Sequence, residues 1–472
     1  MSMEEKTNFQ TFQDSNYQPS EESQVKQFIA DCYHDNIPIE VIGSGSKRSI
    51  GRNIQVGKTI SLSNLSGILD YKPEELYIKV KAGTPIKMII EELKKNNQQL
   101  AFEPNDFGQI YGGKENFGTI GGVVSCNFAG PRRFKSGSVR DHILGFKAVN
   151  GKGEVIKSGG TVVKNVTGYD LSKLISGAFG TLVVLTELTI KVLPLLSDNK
   201  TLIINNLSNE DALDSLSKCL SSSTDPTAGV FFPEMHRQSF IFNDMVGSGS
   251  ITAIRYEGSK KSVDHRIDII RKSLKLKVSE INILETSQST IFWKQVSGLK
   301  VFSQDTKNLV RVVLPPKKTK DFLKKINSDD YFVDWGGSLI WIKLDEANSE
   351  TITNLRNWTN ENDGYLTVIK ADENIKNSLE IFGIEPNKYK ISELIKKSFD
   401  PKKILRDIKI PIQGGLDPKI LLTDNENLKK EASNYLEAFK DHPYIFNLGH
   451  GILPETKPDM VENLIKIVRD FK

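Results

Sequence analysis

Residues 118–126 read GTIGGVVSC. Gly118, Gly121 and Gly122 surround Thr119 and lead into Val123-Val124-Ser125, so the main chain is bare where a strand or helix begins. A glycine turn of this kind presents backbone N–H groups with no side chain in the way, and such a nest holds a pyrophosphate. Two further clusters flank it. On the N-terminal side, the β-branched run Ile37–Ile42 enters Gly43-Ser44-Gly45-Ser46; on the C-terminal side lies Gly177-Ala178-Phe179-Gly180-Thr181-Leu182. Serine and threonine hydroxyls add donors. Any one cluster reads equally as a plain turn. Three in one domain, with few acidic residues between the glycines, favour a large phosphorylated cofactor without saying which. None is the dinucleotide fingerprint G-x-G-x-x-G or a Walker loop.

Around these clusters the sequence predicts an α+β domain. A helix capped by Ser20 runs through Tyr33 and a strand covers Leu76–Lys81. A helix opens at Thr84-Pro85, with Pro at its first position, and runs to Asn96. Residues 146–156 alternate about Asn150-Gly151, the signal of a two-residue hairpin turn. Leu171–Ala178 reads as a helix and Leu182–Val192 as a β-branched strand. Residues 1–19 are polar and are expected to be disordered. The first domain is placed at 20–197.

From 198 to 405 glycine thins out and strands alternate with helices. Ile251–Tyr256 precedes a helix over 261–274, and Leu309–Leu314 precedes one over 318–326. Two strands flank Gly336-Gly337, and a helix covers Ile391–Ser398. This is a second α+β domain, a sheet covered by helices. Residues 406–472 form two βα units, Ile408–Ile412 with 424–439 and Tyr444–Leu448 with 458–471. That is an incomplete sheet, because a parallel pair needs both faces buried.

At 472 residues the chain is too long for one ordinary core. A net charge of only +4 gives no electrostatic case for nucleic acid. The lysines at 317, 318, 320, 324 and 325 read as a solvated helix face. Cys32, Cys126 and Cys219 are too scattered for a disulfide framework or a cysteine-ligated metal, and no metal site is expected. The opening residues lack an apolar signal core and the most apolar stretch, Leu174–Leu196, is broken by Glu187 and Lys191. The expectation is a cytoplasmic protein with no direct membrane insertion, meeting an inner membrane only through partners.

The stretches GTIGGVVSCNFAGPRRFKSGSVRD (118–141) and KNVTGYDLSKLISGAFGTLVVLTE (164–187) resemble the FAD-binding domain of the vanillyl-alcohol-oxidase/p-cresol-methylhydroxylase type. GPRR followed by GSVRD, then KNVTGYDL, is similar to the FAD-binding E subunit of glycolate oxidase. Asp334-Trp335-Gly336-Gly337 and SFDPKKIL (398–405) are similar too. The resemblance covers about residues 20–405. It implies a two-subdomain FAD-binding domain of the p-cresol-methylhydroxylase type plus an α+β cap. Gly43, Ser44, Gly45 and Ser46 would wrap the FAD diphosphate. Gly118, Thr119, Gly121, Gly122 and Ser125 would line it from the other side, with Pro104 in the loop leading there. Ser138 and Arg140 would lie near the cofactor, although Arg140-Asp141 also reads as a structural ion pair. Leu182 and Val183 would meet the flavin or adenine through backbone atoms. The first glycine loop has no histidine and Cys126 reads as a small core residue, so FAD is expected to be noncovalent.

Oxidising a 2-hydroxy acid needs a base for the hydroxyl proton and a cation for the carboxylate. The second domain offers only His236 and His265, well separated, with nothing to complete a metal site. Tyr169 and Asp170 are the candidates nearest the flavin ring, and Asp170 reads equally as a helix cap. The resemblance implies a complex with a larger FAD subunit and an iron–sulfur subunit, in which the larger subunit oxidises a small 2-hydroxy acid such as glycolate. A flavin-free scaffold and a stand-alone FAD oxidase of another alcohol, such as an aldonolactone or alditol, are the competing readings.

The last part of the chain has a different likeness. IPIQGGLDPKILL and YIFNLGHGILPETKPDMVENL resemble the end of uroporphyrinogen decarboxylase, a TIM barrel, with His450 in its Gly-His-Gly. Two of eight βα repeats cannot close a barrel. This βαβα tail is expected to be inactive.

Overall fold

The computed structural model describes residues 16–51, 56–113, 118–161, 169–240, 249–275, 281–303, 305–326, 328–345, 347–383, 386–405, 412–413, 418–439, 444–445 and 453–471. Expectations for residues 1–15, for Lys164–Gly168 and for His450 lie outside these. The chain divides into two compact units, Met1–Ile408 and Lys409–Lys472.

The first unit begins before Ser20. Tyr17 bridges Ile60 and its ring stacks on Phe28 at 4.6 Å, so order sets in ahead of the expected boundary. The helix Glu22–His34 forms because Val25, Ile29 and Cys32 fall on one buried face, and Glu21 and Gln24 form a capping box in place of the Ser20 cap. Ile39–Ile42 pairs in parallel with Lys58–Ser61. An antiparallel sheet then runs in the order Ile68–Lys72, Tyr77–Lys81, Val183–Lys191, Ile143–Asn150, Val155–Gly159. Helix Ile86–Lys95 packs Ile86, Ile89 and Leu93 inward, and Pro85 sits at its N-cap with extended backbone, one position before the expected first turn.

The hairpin turn is longer than Asn150-Gly151 suggests. Val149 pairs with Val155, so five residues intervene. Asn150 Oδ1 accepts from the amides of Lys152 and Glu154, and the positive φ falls on Gly153. Gly151 serves a close approach instead: a Cβ there would meet the Asp400 carboxyl at 2.4 Å.

The cap carries an eight-stranded antiparallel sheet in the order Ile281–Leu284, Asp198–Asn205, Ile251–Gly258, Ala228–Phe232, Tyr331–Asp334, Leu339–Lys343, Leu309–Val313, Tyr365–Lys370. Its period-two alternation separates two cores. Val310, Val312, Ile340 and Ile342 pack with residues of helices Asn209–Leu220, Lys260–Ser273 and Ser349–Glu361. Leu309, Leu339, Trp341, Phe332 and Phe232 turn to the opposite side, where Ile50, Phe107, Ile110 and Phe128 of the first domain meet them. Helices Asn209–Leu220, Lys260–Ser273 and Ser349–Glu361 cover one face of this sheet, and the first domain together with helix Thr286–Ser297 covers much of the other.

Four charged side chains cross that junction. Arg255 Nη1 and Nη2 donate to Glu103 at 2.8 and 2.9 Å, and Arg132 Nε donates to Glu257 at 2.9 Å, with Nη2 completing the pair. Burial alone would raise both carboxyls, but the two guanidinium groups outweigh it and hold Glu257 down to about 2. Beside them Asp334 is wholly buried and accepts from the Trp335 amide at 2.6 Å. Burial pushes its carboxyl up to about 7.

The second unit holds Ile412–Gln413 paired in parallel with Tyr444–Ile445. Helices Asn425–Phe439 and Pro458–Asp470 close a small core of Leu421, Leu428, Ala432, Met460 and Leu464. Among the described residues no helix is long and apolar enough to cross a membrane.

Asp334 makes a pH prediction. Its folded pKa lies above the unfolded value of about 3.9, so its contribution to stability is fully present below about pH 4 and is lost as pH rises through about 7. Asp334→Asn keeps an acceptor for the Trp335 amide and removes the titration. Urea unfolding should find the variant gaining stability over the parent between pH 5 and pH 8, by on the order of 2–4 kcal/mol. A constant difference across that range would refute the assignment.

Candidate functional site

The strand Ile39–Ile42 ends at Gly43, and the chain turns through Ser44–Ser49 with Gly45 at φ +76°. Among the described residues, the amides of Ser44, Gly45, Ser46 and Lys47 donate to no protein acceptor, while the amides of Arg48 and Ile50 close turns onto Gly45 and Lys47. The Ser44 hydroxyl is buried and without a partner. Ser61 and Ser63 hold the Gly43 carbonyl from behind, at 3.0 and 2.9 Å. Arg48 is committed to Glu40 at 2.6 Å, whereas Lys47 Nζ donates to Ser46 Oγ at 3.5 Å and meets no carboxylate among the described residues. The result is a concave strip of free donors with a lysine at its end.

Helix Ile120–Cys126 faces this strip. Thr119 caps it by accepting from the Gly122 amide at 3.3 Å. A Cβ on Gly43 would meet Thr119 Oγ1 at 2.1 Å, and one on Gly121 would meet the Ala82 carbonyl at 2.8 Å. These glycines let two backbones close on one another. The helix amides themselves are spent: Ile120 donates to Thr84 O, Gly121 to Ala82 O and Gly122 to Thr119. Donors from two turns were expected to converge here; among the described residues the Gly43 loop supplies four free amides, while those of Ile120, Gly121 and Gly122 are spent.

Between these walls lies a cleft of about 530 Å³, within the range of cofactor sites. Of the residues expected there, Gly43, Ser44, Gly45, Ser46, Thr119, Gly121, Gly122, Ser125 and Val183 line it. Gly118 stands at its edge, where a Cβ would lie 3.9 Å from Lys47 Nζ.

Pro104, Ser138, Arg140 and Leu182 are not among the lining residues. Pro104 bridges Ala129. Ser138 is fully buried as a cap, its N and Oγ both donating to Asp141 at 2.7 and 2.9 Å. Arg140 takes the structural reading, with Nε 3.9 Å from Asp141. Tyr169 is 92% exposed, and Asp170 caps helix Leu171–Ile175 by accepting from the Lys173 amide at 3.2 Å. Neither lines the cleft. His236 is buried 3.4 Å from Asp330 and His265 is exposed. Of the clustered lysines, Lys320 and Lys324 are paired with Asp214 and Glu210 on the cap's outer surface.

Several lining groups escaped the reading of the sequence. Lys47 directly succeeds the glycine loop and was legible as GSGSK. Cys126 lines the wall with its thiol pushed up by burial, an effect Lys47 partly offsets. Phe179 and Gly180 belong to the third glycine cluster, and Lys376 comes from the cap helix Glu373–Ser378 with no local signal.

The chain is 32% identical over 321 residues to glycolate oxidase subunit GlcE of Escherichia coli (strain K12), spanning 68% of this chain and 79% of that protein. It belongs to the GlcE family. Residues 16–159 match the FAD binding domain family, and FAD is the cofactor of this family of oxidoreductases. D-lactate dehydrogenase of Anaerostipes hadrus is 32% identical over 195 residues, 40% of this chain and 38% of that enzyme. The fold is that of p-cresol methylhydroxylase, with a TM-score of 0.61 at 15% identity over 83% of this chain and 87% of that one. Residues 388–471 match the uroporphyrinogen decarboxylase family. The Rickettsia bellii enzyme is 47% identical over 64 residues, 14% of this chain but 19% of that enzyme.

The Gly43–Thr119 contact is open to test. Gly43→Ala should push the loop off the helix and cut flavin affinity by at least ~10-fold, the scale of one lost contact of 1–2 kcal/mol. Adding Thr119→Ala removes the clashing hydroxyl and should restore part of that affinity. Additive losses in the double variant, read by flavin titration, would show that the contact is not what sets the cleft.

Proposed function

We propose that this chain is the FAD-binding subunit of a glycolate oxidase-type complex and that it holds FAD noncovalently, with the diphosphate on the Gly43–Lys47 loop. The observation that carries this is the row of four uncommitted amides beside the orphaned Ser44 hydroxyl and Lys47. Such a nest satisfies phosphate oxygens without a counter-carboxylate. FAD, when bound, supplies the capacity to accept two electrons. The chain's own groups do the rest. Thr119 and Gly121 close the wall so that water is kept from the diphosphate, Phe179 and Val183 give the cleft an apolar side, and Lys376 brings a second positive charge from the cap.

Noncovalent binding is supported by the side chains at hand. Among the described residues the sulfur in the cleft wall is that of Cys126, held as a thiol by burial, and the thiol is a poor nucleophile. No described histidine lines the cleft.

The partners are a larger FAD subunit and an iron–sulfur subunit. This chain contributes structure or electron relay, and the larger subunit oxidises the 2-hydroxy acid. Neither Tyr169 nor Asp170 lines the cleft, which favours this division of labour. The tail, which spans 19% of a decarboxylase that it resembles, carries no decarboxylase activity.

Purification of the full chain tests these statements together. The chain should be yellow, release its flavin on acid precipitation, and bring the two partner subunits down with it from its own host. Alone it should not reduce a dye with glycolate, nor convert uroporphyrinogen. A colourless chain would favour a flavin-free scaffold. Turnover of an alditol or aldonolactone by the isolated chain would favour a stand-alone oxidase, and flavin remaining with the acid pellet would overturn noncovalent attachment.

A further inference from the structure

Part of the cleft wall is a turn that its own sequence does not secure. Gly177, Phe179 and Gly180 have φ of +89°, +53° and +76°, and Phe179 and Gly180 line the cleft. Glycine enters the left-handed region freely. A bulky residue such as Phe179 stays there only where its surroundings fix it. Helix Ile120–Cys126 supplies one set of fixing groups: the Gly177 amide donates to Val124 O at 3.2 Å and the Phe179 amide to Ser125 O at 2.8 Å. Thr181 closes the turn, its amide and hydroxyl both donating to Ala178 O at 3.0 and 2.7 Å.

The Thr181 carbonyl accepts from a residue 215 positions along the chain, Lys396 on helix Pro386–Phe399. Lys396 is 5% exposed, and its ammonium also donates to Asp400 at 2.8 Å and to Leu405 O. Its three N–H groups thus have three acceptors. The Leu405 end is tied to the first strand, where the Ile39 amide donates to Ile404 O at 2.7 Å and Ile39 bridges Leu405. That strand, Ile39–Ile42, runs directly into the Gly43 loop. It also stands against the turn itself, because a Cβ on Gly180 would lie 3.6 Å from Val41 Cβ.

One buried ammonium therefore joins the strand that feeds the donor loop to the turn that carries Phe179. Burying a lysine is unfavourable, and an apolar side chain of similar length would fill the same space without a charge to satisfy. What the ammonium adds is direction, through a hydrogen bond to each of two separate main-chain carbonyls. We propose that Lys396 is a positioning residue for the flavin: it holds Phe179 and Gly180 in the cleft wall through Thr181 O and sets that wall against the Gly43 loop through Leu405 O. Lys396 does not itself line the cleft. The inference rests on the placement of FAD proposed above.

The test compares Lys396→Met with the double variant Lys396→Met/Asp400→Asn, which leaves no carboxylate buried without its partner. In urea, the single variant should unfold at a lower midpoint than the parent and the double variant should regain part of the difference. FAD titrated into the flavin-free chain should bind both variants at least ~10-fold more weakly than the parent, the scale of one lost hydrogen bond to a charged group. Affinity that returns along with the midpoint would reduce Lys396 to a stabiliser of the fold and overturn the proposal, as would parental affinity in both variants. Hydrogen exchange on the flavin-free chain reads the turn without the cofactor. In the double variant the peptide over residues 176–182 should exchange at least ~10-fold faster while strand Ile143–Asn150 keeps the parental rate. An unchanged turn, or a turn and strand loosened alike, would also overturn it. Lys396→Arg keeps a charged donor and should bind FAD more tightly than Lys396→Met; with the double variant it carries the test if Lys396→Met does not fold. A parent chain that binds no FAD would sink the placement of the cofactor, and the exchange at the turn tells that failure apart from a failure of Lys396.

Discussion

The structure of the first unit depends on the buried pairing of Glu103 and Glu257 with Arg255 and Arg132. Two positive and two negative charges meet away from water, where each alone would cost several kcal/mol to bury. Their sum is zero and their geometry is bidentate, so the penalty is largely offset. What remains is directional. Glu103 and Arg132 belong to the flavin half, Arg255 and Glu257 to one strand of the cap, and both pairs are satisfied at only one placement of the sheet. Short polar contacts add to this placement. Asn105 Nδ2 and the Asp106 amide donate to Ser297 O at 3.0 and 3.2 Å, Trp335 Nε1 donates to Gly130 O at 3.0 Å, and Tyr111 donates to Ile369 O at 2.6 Å. Apolar packing of Phe107 and Phe128 against Trp341 and Trp335 supplies the non-directional part.

That placement in turn decides what the cleft can be. The Gly43 loop and the Thr119 helix form their walls within the flavin half, but Lys376 and Glu373 arrive from the cap. Lys376 also donates to Ser49 O at 2.9 Å, so the cap is tied to the loop that turns through the donor strip.

The local parts of this arrangement were legible in the sequence, and the reason is physical. Glycine at 43, 45, 121 and 180 marks positions where backbones approach or φ turns positive, and both demands are set within a few residues. The alternation in Leu309–Val313 and Leu339–Lys343 marks two-sided burial in the same way. Long-range pairing leaves no such trace. Arg132 and Glu257 are 125 residues apart, and Arg255 and Glu103 152 apart. Nothing in GPRR distinguishes Arg132, buried against Glu257, from Arg133, which is half-buried 4.0 Å from Asp141. Asn150-Gly151 misled because Gly151 answers to Asp400, far along the chain, and not to its own turn. Ser138 and Arg140 stand in a strong motif and are bound close by, Ser138 to Asp141 and the Arg140 amide to Asn127.

The end of the oxidase-type unit has its own logic. Lys396 Nζ donates to Asp400 at 2.8 Å, and Asp400 accepts the amides of Ile404 and Leu405 at 3.0 and 2.8 Å. Ile39 then donates to Ile404 O at 2.7 Å, and Leu405 is fully buried in the first core. The chain thus closes onto its first strand at Leu405, the last described residue of the first unit. Among its described residues the second unit has one two-residue parallel pair and two α-helices over a core of five buried side chains. A parallel pair presents two faces that both need cover, and a barrel of eight such units encloses its reaction chamber only by closing on itself. Two such units are a quarter of a barrel, in keeping with a likeness that covers 19% of the Rickettsia bellii decarboxylase. Every described residue that lines the flavin cleft, by contrast, comes before Leu405.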